Sequence, residues 1–254
     1  MIIKSKSNSD FKCSCQIKVG RCKNLEHPRI FTEYLANSHQ KYIERWALSK
    51  YTIWENETSN LNNEKGHTKI GQLIYDYKYK KHADGEIIKE LDEMELNQIK
   101  DRSFKEIYKH IKYFLDNYFP ENIREFNATI PIPPTKHSLR TIPFEICDKL
   151  QEDGLTSYKN LINVVEEVKF NEERLKNIKD FDKKENILKK KFILGDAKNM
   201  EHLTGILVID DVYKTGATAR RVLDIINSVA PEVPKYFLSV SFTVLNEVIP
   251  GGKV

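Results

Sequence analysis

The sequence predicts an α/β protein built on a parallel sheet, and three observations carry that prediction. Residues 206–209, "ILVI", are an uninterrupted apolar run of strand length. Behind them "ATARRVLDIINSVA" sets Val222, Leu223, Ile226 and Val229 on one helical face. Residues 236–243 then return to a strand pattern. A strand, a helix and a strand in that order make a right-handed parallel unit. Ligands of such sheets sit beyond the carboxyl ends of the strands, and the first of these two strands ends at Asp210.

The rest of the chain divides as follows. Residues 1–28 are polar and hold three closely spaced cysteines. "PRIFTEYLANSHQKYIERWALSKY" places Phe31, Tyr34, Leu35, Tyr42, Ile43, Trp46 and Ala47 mostly at helical spacing. The Asn- and Glu-rich stretch "ENETSNLNNEKG", residues 55–66, reads as a turn or linker. The expected division is an N-terminal Cys-containing, helical module over 1–60 and an α/β domain over 61–254. That domain opens on "IGQLIYDYKYKKH", a helix or a strand, in which Tyr75, Tyr77 and Tyr79 alternate as strand residues would. A long helix is expected over 86–118, with Pro120 just past its end. "ATIPIPPTK" reads as a short strand entering a Pro-ruled loop. "SLRTIPFEICDKLQEDG" reads as a helix, with Pro143 in its first turn and Gly154 as its stop. No internal repeat is present.

Composition bounds the function without naming it. Of 254 residues 40% are hydrophobic, with 12 Tyr and 12 Phe, which describes a globular chain. The balance of 41 basic against 37 acidic residues gives a net charge of only +4, so bulk charge argues weakly for nucleic acid. The local run "KKENILKKKF", residues 183–192, is the better anion-facing candidate, and a solvated helix or loop face is its ordinary explanation. No stretch approaches the roughly 18 apolar residues of a membrane span. "MIIKSKSNSDFK" lacks an apolar core of signal-peptide length. The expectation is a cytoplasmic protein with reduced thiols and no membrane partner.

"ILVIDDVYKTGAT", residues 206–218, carries the chemistry. The segment Lys214, Thr215, Gly216, Ala217 and Thr218 joins a strand to a helix N-terminus, where backbone N–H groups lack intrahelical partners. Gly216 permits a positive φ and a close backbone approach to an oxyanion, and the two threonines add hydroxyl donors. A phosphate monoester fits there. Asp210 and Asp211, side by side, would only repel a lone phosphate. They serve as acceptors for a vicinal diol a few ångströms away, and a ribose 5-phosphate offers both groups. A divalent metal would ease the remaining repulsion. The chain has neither a G-x-x-x-x-G-K-[ST] nor a G-x-G-x-x-G motif.

"VIDDVYKTGAT" resembles the phosphoribosyl pyrophosphate (PRPP) signature of type I phosphoribosyltransferases, and further segments resemble the ComF-like branch. "LIYDYKYKK" is similar to a lysine-bearing segment of that branch and puts Lys78 at the lysine. "TIPIPPTK" resembles the strand end before its pyrophosphate loop. "KKENILKKKF" resembles its hood, with Asn186 and Phe192 in matching places. The resemblance implies a type I phosphoribosyltransferase fold and a small N-terminal, zinc-binding module. It implies that Asp210 and Asp211 hold ribose and that residues 214–218 hold the 5-phosphate. Mg²⁺ would accompany PRPP, and pyrophosphate would be released to an unknown acceptor. Lys136, Arg140 and Lys78 would then assist the departing pyrophosphate. The chain departs from the family at Arg140-Thr141-Ile142-Pro143-Phe144, where the usual glycine is missing, and at Lys214.

Cys13, Cys15, Cys22 and His27 follow the spacing C-x-C-x6-C-x4-H. Zn²⁺ is one reading of these residues, and three ordinary thiols are the other. Cys147 falls on an apolar helical pattern and reads as core. His67, His82, His110, His137 and His202 form no spacing pattern; His137 is notable only for its place in the expected pyrophosphate loop. Two functional readings follow. One is a phosphoribosyltransferase; the other is a non-catalytic PRPP or nucleotide sensor acting with a protein or nucleic-acid partner. The acceptor and the question of a homodimer stay open.

Overall fold

The computed structural model describes residues 12–13, 29–30, 33–36, 42–50, 67–79, 92–118, 126–134, 141–158, 162–164, 181–196, 200–214 and 216–243. The elements in chain order are β1 (Lys12–Cys13), β2 (Arg29–Ile30), β3 (Glu33–Ala36), β4 (Tyr42–Lys50), α1 (Lys69–Tyr79) and α2 (Glu93–Tyr118). They continue with β5 (Ala128–Pro131), α3 (Ile142–Glu152), β6 (Ser157–Tyr158), β7 (Ile162–Val164), α4 (Phe181–Lys191) and β8 (Phe192–Leu194). The last three are β9 (Ile206–Tyr213), α5 (Ala217–Val229) and β10 (Lys235–Phe242).

The main sheet has the order β3-β4-β10-β9-β5-β6. Every pairing from β4 across to β6 is parallel, and only β3 runs against its neighbour. The expected parallel α/β architecture is therefore present. The expected helix over residues 31–47 is not. That segment forms β3 and β4, and it joins the main sheet rather than standing apart as a helical module. Ala47 and Leu48, consecutive residues of β4, are both buried. A strand covered on both faces need not alternate, so chance helical spacing of its apolar residues misleads.

The central strands separate two apolar layers. Ile206 and Val208 of β9, with Ile130 and Phe237, pack against Val222, Leu223 and Ile226 of α5. Leu207 and Ile209, with Leu238 and Val240, pack against Ile70 and Ile74 of α1, Ile107 and Ile111 of α2, and Ile142 and Ile146 of α3. Each helical set recurs at i, i+4, the period of a helix face. That period overrides the Tyr75, Tyr77, Tyr79 alternation: α1 is a helix, with Tyr77 buried and Tyr75 exposed.

Helix ends are fixed by local chemistry. Thr68 Oγ1 accepts the Gly71 N–H at 2.9 Å and caps α1. Asp92 and Glu95 exchange bonds at 2.7 and 3.1 Å, a capping box that starts α2. Pro143 sits in the first turn of α3. Gly154, at φ 69°, ends it, with the Leu155 N–H returning to Leu150 O at 2.9 Å. Two phenols then tie the helices together. Tyr77 donates to Glu145 at 2.6 Å, and Tyr108 donates to Asp153 at 2.7 Å.

Candidate functional site

The chain order creates a crevice. From β5 the chain passes through α3 to β6 on one side, and from β9 through α5 to β10 on the other. Adjacent parallel strands whose connections leave in opposite directions form a topological switch point, where α/β sheets bind ligands. Here that point lies beyond the ends of β5 and β9. Pairing with β5 stops at Pro131 opposite Ile209, with one further bond from the Ile132 N–H to Ile209 O at 2.8 Å. β9 continues to Tyr213 beside β10 alone.

Asp210 and Asp211 begin that overhang. The expected strand end at Ile209 is thus corrected: the pair lies within an eight-residue strand. Its position is nevertheless irregular. Val212 packs with the layer of Leu207 and Ile209, and Tyr213 with the layer of Ile206 and Val208. Strict alternation would reverse those two, and Phe242 of β10, opposite Tyr213, likewise joins the layer of Phe237 rather than that of Leu238 and Val240, so the layers exchange at the ends of both strands. Asp210 also bonds locally. Its Oδ1 accepts the Asp211 N–H at 2.8 Å, and the Val212 N–H also points to its carboxylate. Such side-chain bonds compete with the ladder.

Burial pushes the Asp210 carboxyl up from the usual carboxylate range, and the Asp211 charge pushes it the same way. Lys78 and the two backbone N–H groups pull it down. Lys78, in the last turn of α1, forms an ion pair with Asp211 Oδ2. Lys78, one of the cations expected to assist pyrophosphate, thus stands beside the acidic pair.

Past Tyr213, Lys214 is exposed, Thr218 is half-buried and Ala217 is buried. Gly216 is the N-cap of α5 at φ 76°, with no side-chain cap, so the first-turn N–H groups of the helix are presented to any anion there. A Cβ on Gly216 would overlap the Tyr213 hydroxyl and meet its Cζ at 3.0 Å. Tyr213 is itself buried, edge-on to Phe237 at 5.8 Å. Sequence reasoning assigned Tyr213 no part; its one signal is a bulky ring just ahead of a loop of small residues.

Arg221 also escaped notice. From α5 it donates to Phe192 O at 2.7 and 3.2 Å and to Lys189 O at 3.4 Å, holding the end of α4 and the start of β8. The 183–192 run is accordingly helix followed by strand, with Asn186 exposed and Phe192 buried. At the start of α3 the Thr141 hydroxyl is buried, with no hydrogen-bond partner among the described residues.

The structure brings together Asp210, Asp211, Lys78, Lys214, Gly216, Ala217 and Thr218 on β9, α5 and α1. Thr215, Lys136, His137, Arg140, Cys15, Cys22 and His27 lie outside the described residues, as does the side chain of Cys13 in β1. Cys147 is fully buried, as expected of a core thiol. Among the described residues no group of three or more His, Cys, Asp or Glu could hold a metal ion. No helix there is long and apolar enough to cross a membrane. No protein-family model matches the chain, and no curated protein matches it significantly.

Proposed function

We propose that this protein binds a ribose 5-phosphate group and is a phosphoribosyltransferase of the type I, ComF-like kind. The observation that carries the reading is the meeting of two carboxylates with an uncapped, Gly-initiated helix at the switch point of a parallel sheet. Carboxylates accept hydrogen bonds from hydroxyls, and a helix N-terminus takes an oxyanion. A sugar phosphate presents both hydroxyls and an oxyanion. PRPP adds a diphosphate on the anomeric carbon. In the reaction the bond from that carbon to the diphosphate oxygen breaks, a bond to the acceptor forms, and diphosphate leaves.

Asp210 and Asp211 fix the ribose hydroxyls, and residues 214–218 fix the 5-phosphate. The N-terminus of α3, where the Thr141 hydroxyl has no partner among the described residues, is suited to the diphosphate. Mg²⁺, which binds through one or two carboxylates together with substrate phosphates, would accompany the diphosphate, whose charge it neutralises. The zinc reading of Cys13, Cys15, Cys22 and His27 is part of the same proposal, and metal analysis of the purified protein tests it.

One observation favours the alternative, a non-catalytic PRPP or nucleotide sensor working with a protein or nucleic-acid partner. Ile142 and Pro143, within the stretch where the resembled family has a glycine-bearing loop, are helical and buried. A single assay separates the readings. Incubation with PRPP, Mg²⁺ and a panel of bases should release pyrophosphate, and Asp211→Asn should abolish release. Saturable PRPP binding without release for any acceptor would instead establish the sensor. Absence of binding to PRPP and to mononucleotides by calorimetry would remove both.

A further inference from the structure

Lys78 is held in place by more than its partner. The adjacent Tyr77 is buried and anchored to Glu145 of α3 at 2.6 Å. Lys78 itself stands in the last turn of α1, where the helix field favours a cation. Its ammonium lies on Asp211 Oδ2 with both side chains largely covered, at 26% and 19% exposure. Its charge acts on Asp210 as well, opposing the burial and the like charge that disfavour that carboxylate.

We infer that Lys78 is the counter-ion that lets the acidic pair accept ribose hydroxyls without a divalent metal at the pair. The inference rests on the ribose-phosphate reading. Two adjacent carboxylates stay ionised together only if a positive charge offsets their repulsion. A metal ion must be recruited from solution, whereas Lys78 is tethered to the site. An ionised carboxylate has about four lone-pair sites, so an ammonium on Oδ2 leaves acceptor capacity on Asp211 for a hydroxyl. A divalent ion at the pair would meet the Lys78 charge, so the two cations oppose each other there. Lys78 therefore sets the cation requirement of sugar binding.

Calorimetry with ribose 5-phosphate, which carries no diphosphate to bring its own metal, tests this on the full-length protein. Wild type should bind with Kd values within about threefold in EDTA and in Mg²⁺, a difference under 1 kcal/mol. Lys78→Met should bind about tenfold or more weakly in EDTA, and Mg²⁺ should recover most of that loss. Urea unfolding midpoints verify that the variant is folded, and the wild-type arm decides independently of it. Wild-type binding that falls about tenfold or more in EDTA overturns the inference while leaving the ribose-phosphate reading intact. Equal affinity of Lys78→Met and wild type in EDTA also overturns it. No binding by either protein in either buffer removes the underlying reading, and the inference with it.

Discussion

Replacing Gly216 with alanine probes the phosphate-facing loop most directly. Two separate penalties apply. At φ 76° a residue with a Cβ is strained, by about 1–2 kcal/mol for the left-handed region. The added methyl also meets the Tyr213 ring, overlapping the hydroxyl and lying 3.0 Å from Cζ and 3.3 Å from Cε2. Tyr213 cannot swing away, since it is buried and packed edge-on to Phe237. Overfilling a packed site costs about 1–3 kcal/mol. The sum, about 2–5 kcal/mol, is a large share of the roughly 5–15 kcal/mol typical of whole domains.

Urea unfolding of Gly216→Ala, Tyr213→Phe and the double variant separates the two parts. Removing the hydroxyl relieves the overlap but leaves the backbone strain. The double variant should therefore recover about 1–3 kcal/mol of the loss beyond additivity, and not the remainder. Ribose 5-phosphate affinity should stay low in both alanine variants, because the strained backbone can no longer present the first-turn N–H groups. Gly216→Ala within about 0.5 kcal/mol of the parent, or additive single effects, would refute the reasoning.

Arg221→Ala should destabilise by about 1–3 kcal/mol, the range for charge-assisted bonds to backbone carbonyls. Faster amide exchange in β8 and in the last turn of α4 is the accompanying readout. Lys235→Met removes bonds to Asn227 Oδ1 at 3.1 Å and Pro231 O at 3.0 Å, plus one to Ala230 O, and so uncaps the C-terminus of α5. A loss of about 1–2 kcal/mol is expected in urea unfolding, with little change in sugar-phosphate affinity. Asp210→Asn acts in the opposite sense. With its folded-state pKa raised, Asp210 binds its proton more tightly folded than unfolded, so stability falls as pH rises from about 4 through the raised value. The asparagine variant should be the more stable one at pH 8, with the gap narrowing toward pH 5. A gap that does not vary with pH falsifies this assignment.

Local signals revealed much of the site because they coincide with the fold. The Pro143 and Gly154 boundaries of α3, the strand at 128–131 and the unit from Ile206 to Phe242 are each punctuated by residues whose backbone needs are particular. β4 escaped because a strand buried on both faces carries no period of its own, and its assignment depends on β10, far away in the chain. Lys78 was singled out, but its partner was not. An ion pair between α1 and β9 exists only once the sheet and its α1–α3 layer have formed. The same holds for Arg221 on Phe192 O and for Tyr213 over Gly216, whose partners are set by packing rather than by motif.

β9 serves partners on opposite layers. α5, with the anion-facing helix end, belongs to the layer of Ile206 and Val208, while α1, with Lys78, belongs to the layer of Leu207 and Ile209. Asp211, on the layer of Leu207 and Ile209 by alternation, meets Lys78 there, and Asp210 precedes it at the open end of the sheet. The bond from the Asp211 N–H to Asp210 Oδ1 lies at the crevice that β5 leaves open. The carboxylate that disturbs the ladder is also the one that burial and its neighbour keep hard to ionise. A residue that weakens both the strand and the electrostatics of its own site is what a binding function retains and stability alone would remove.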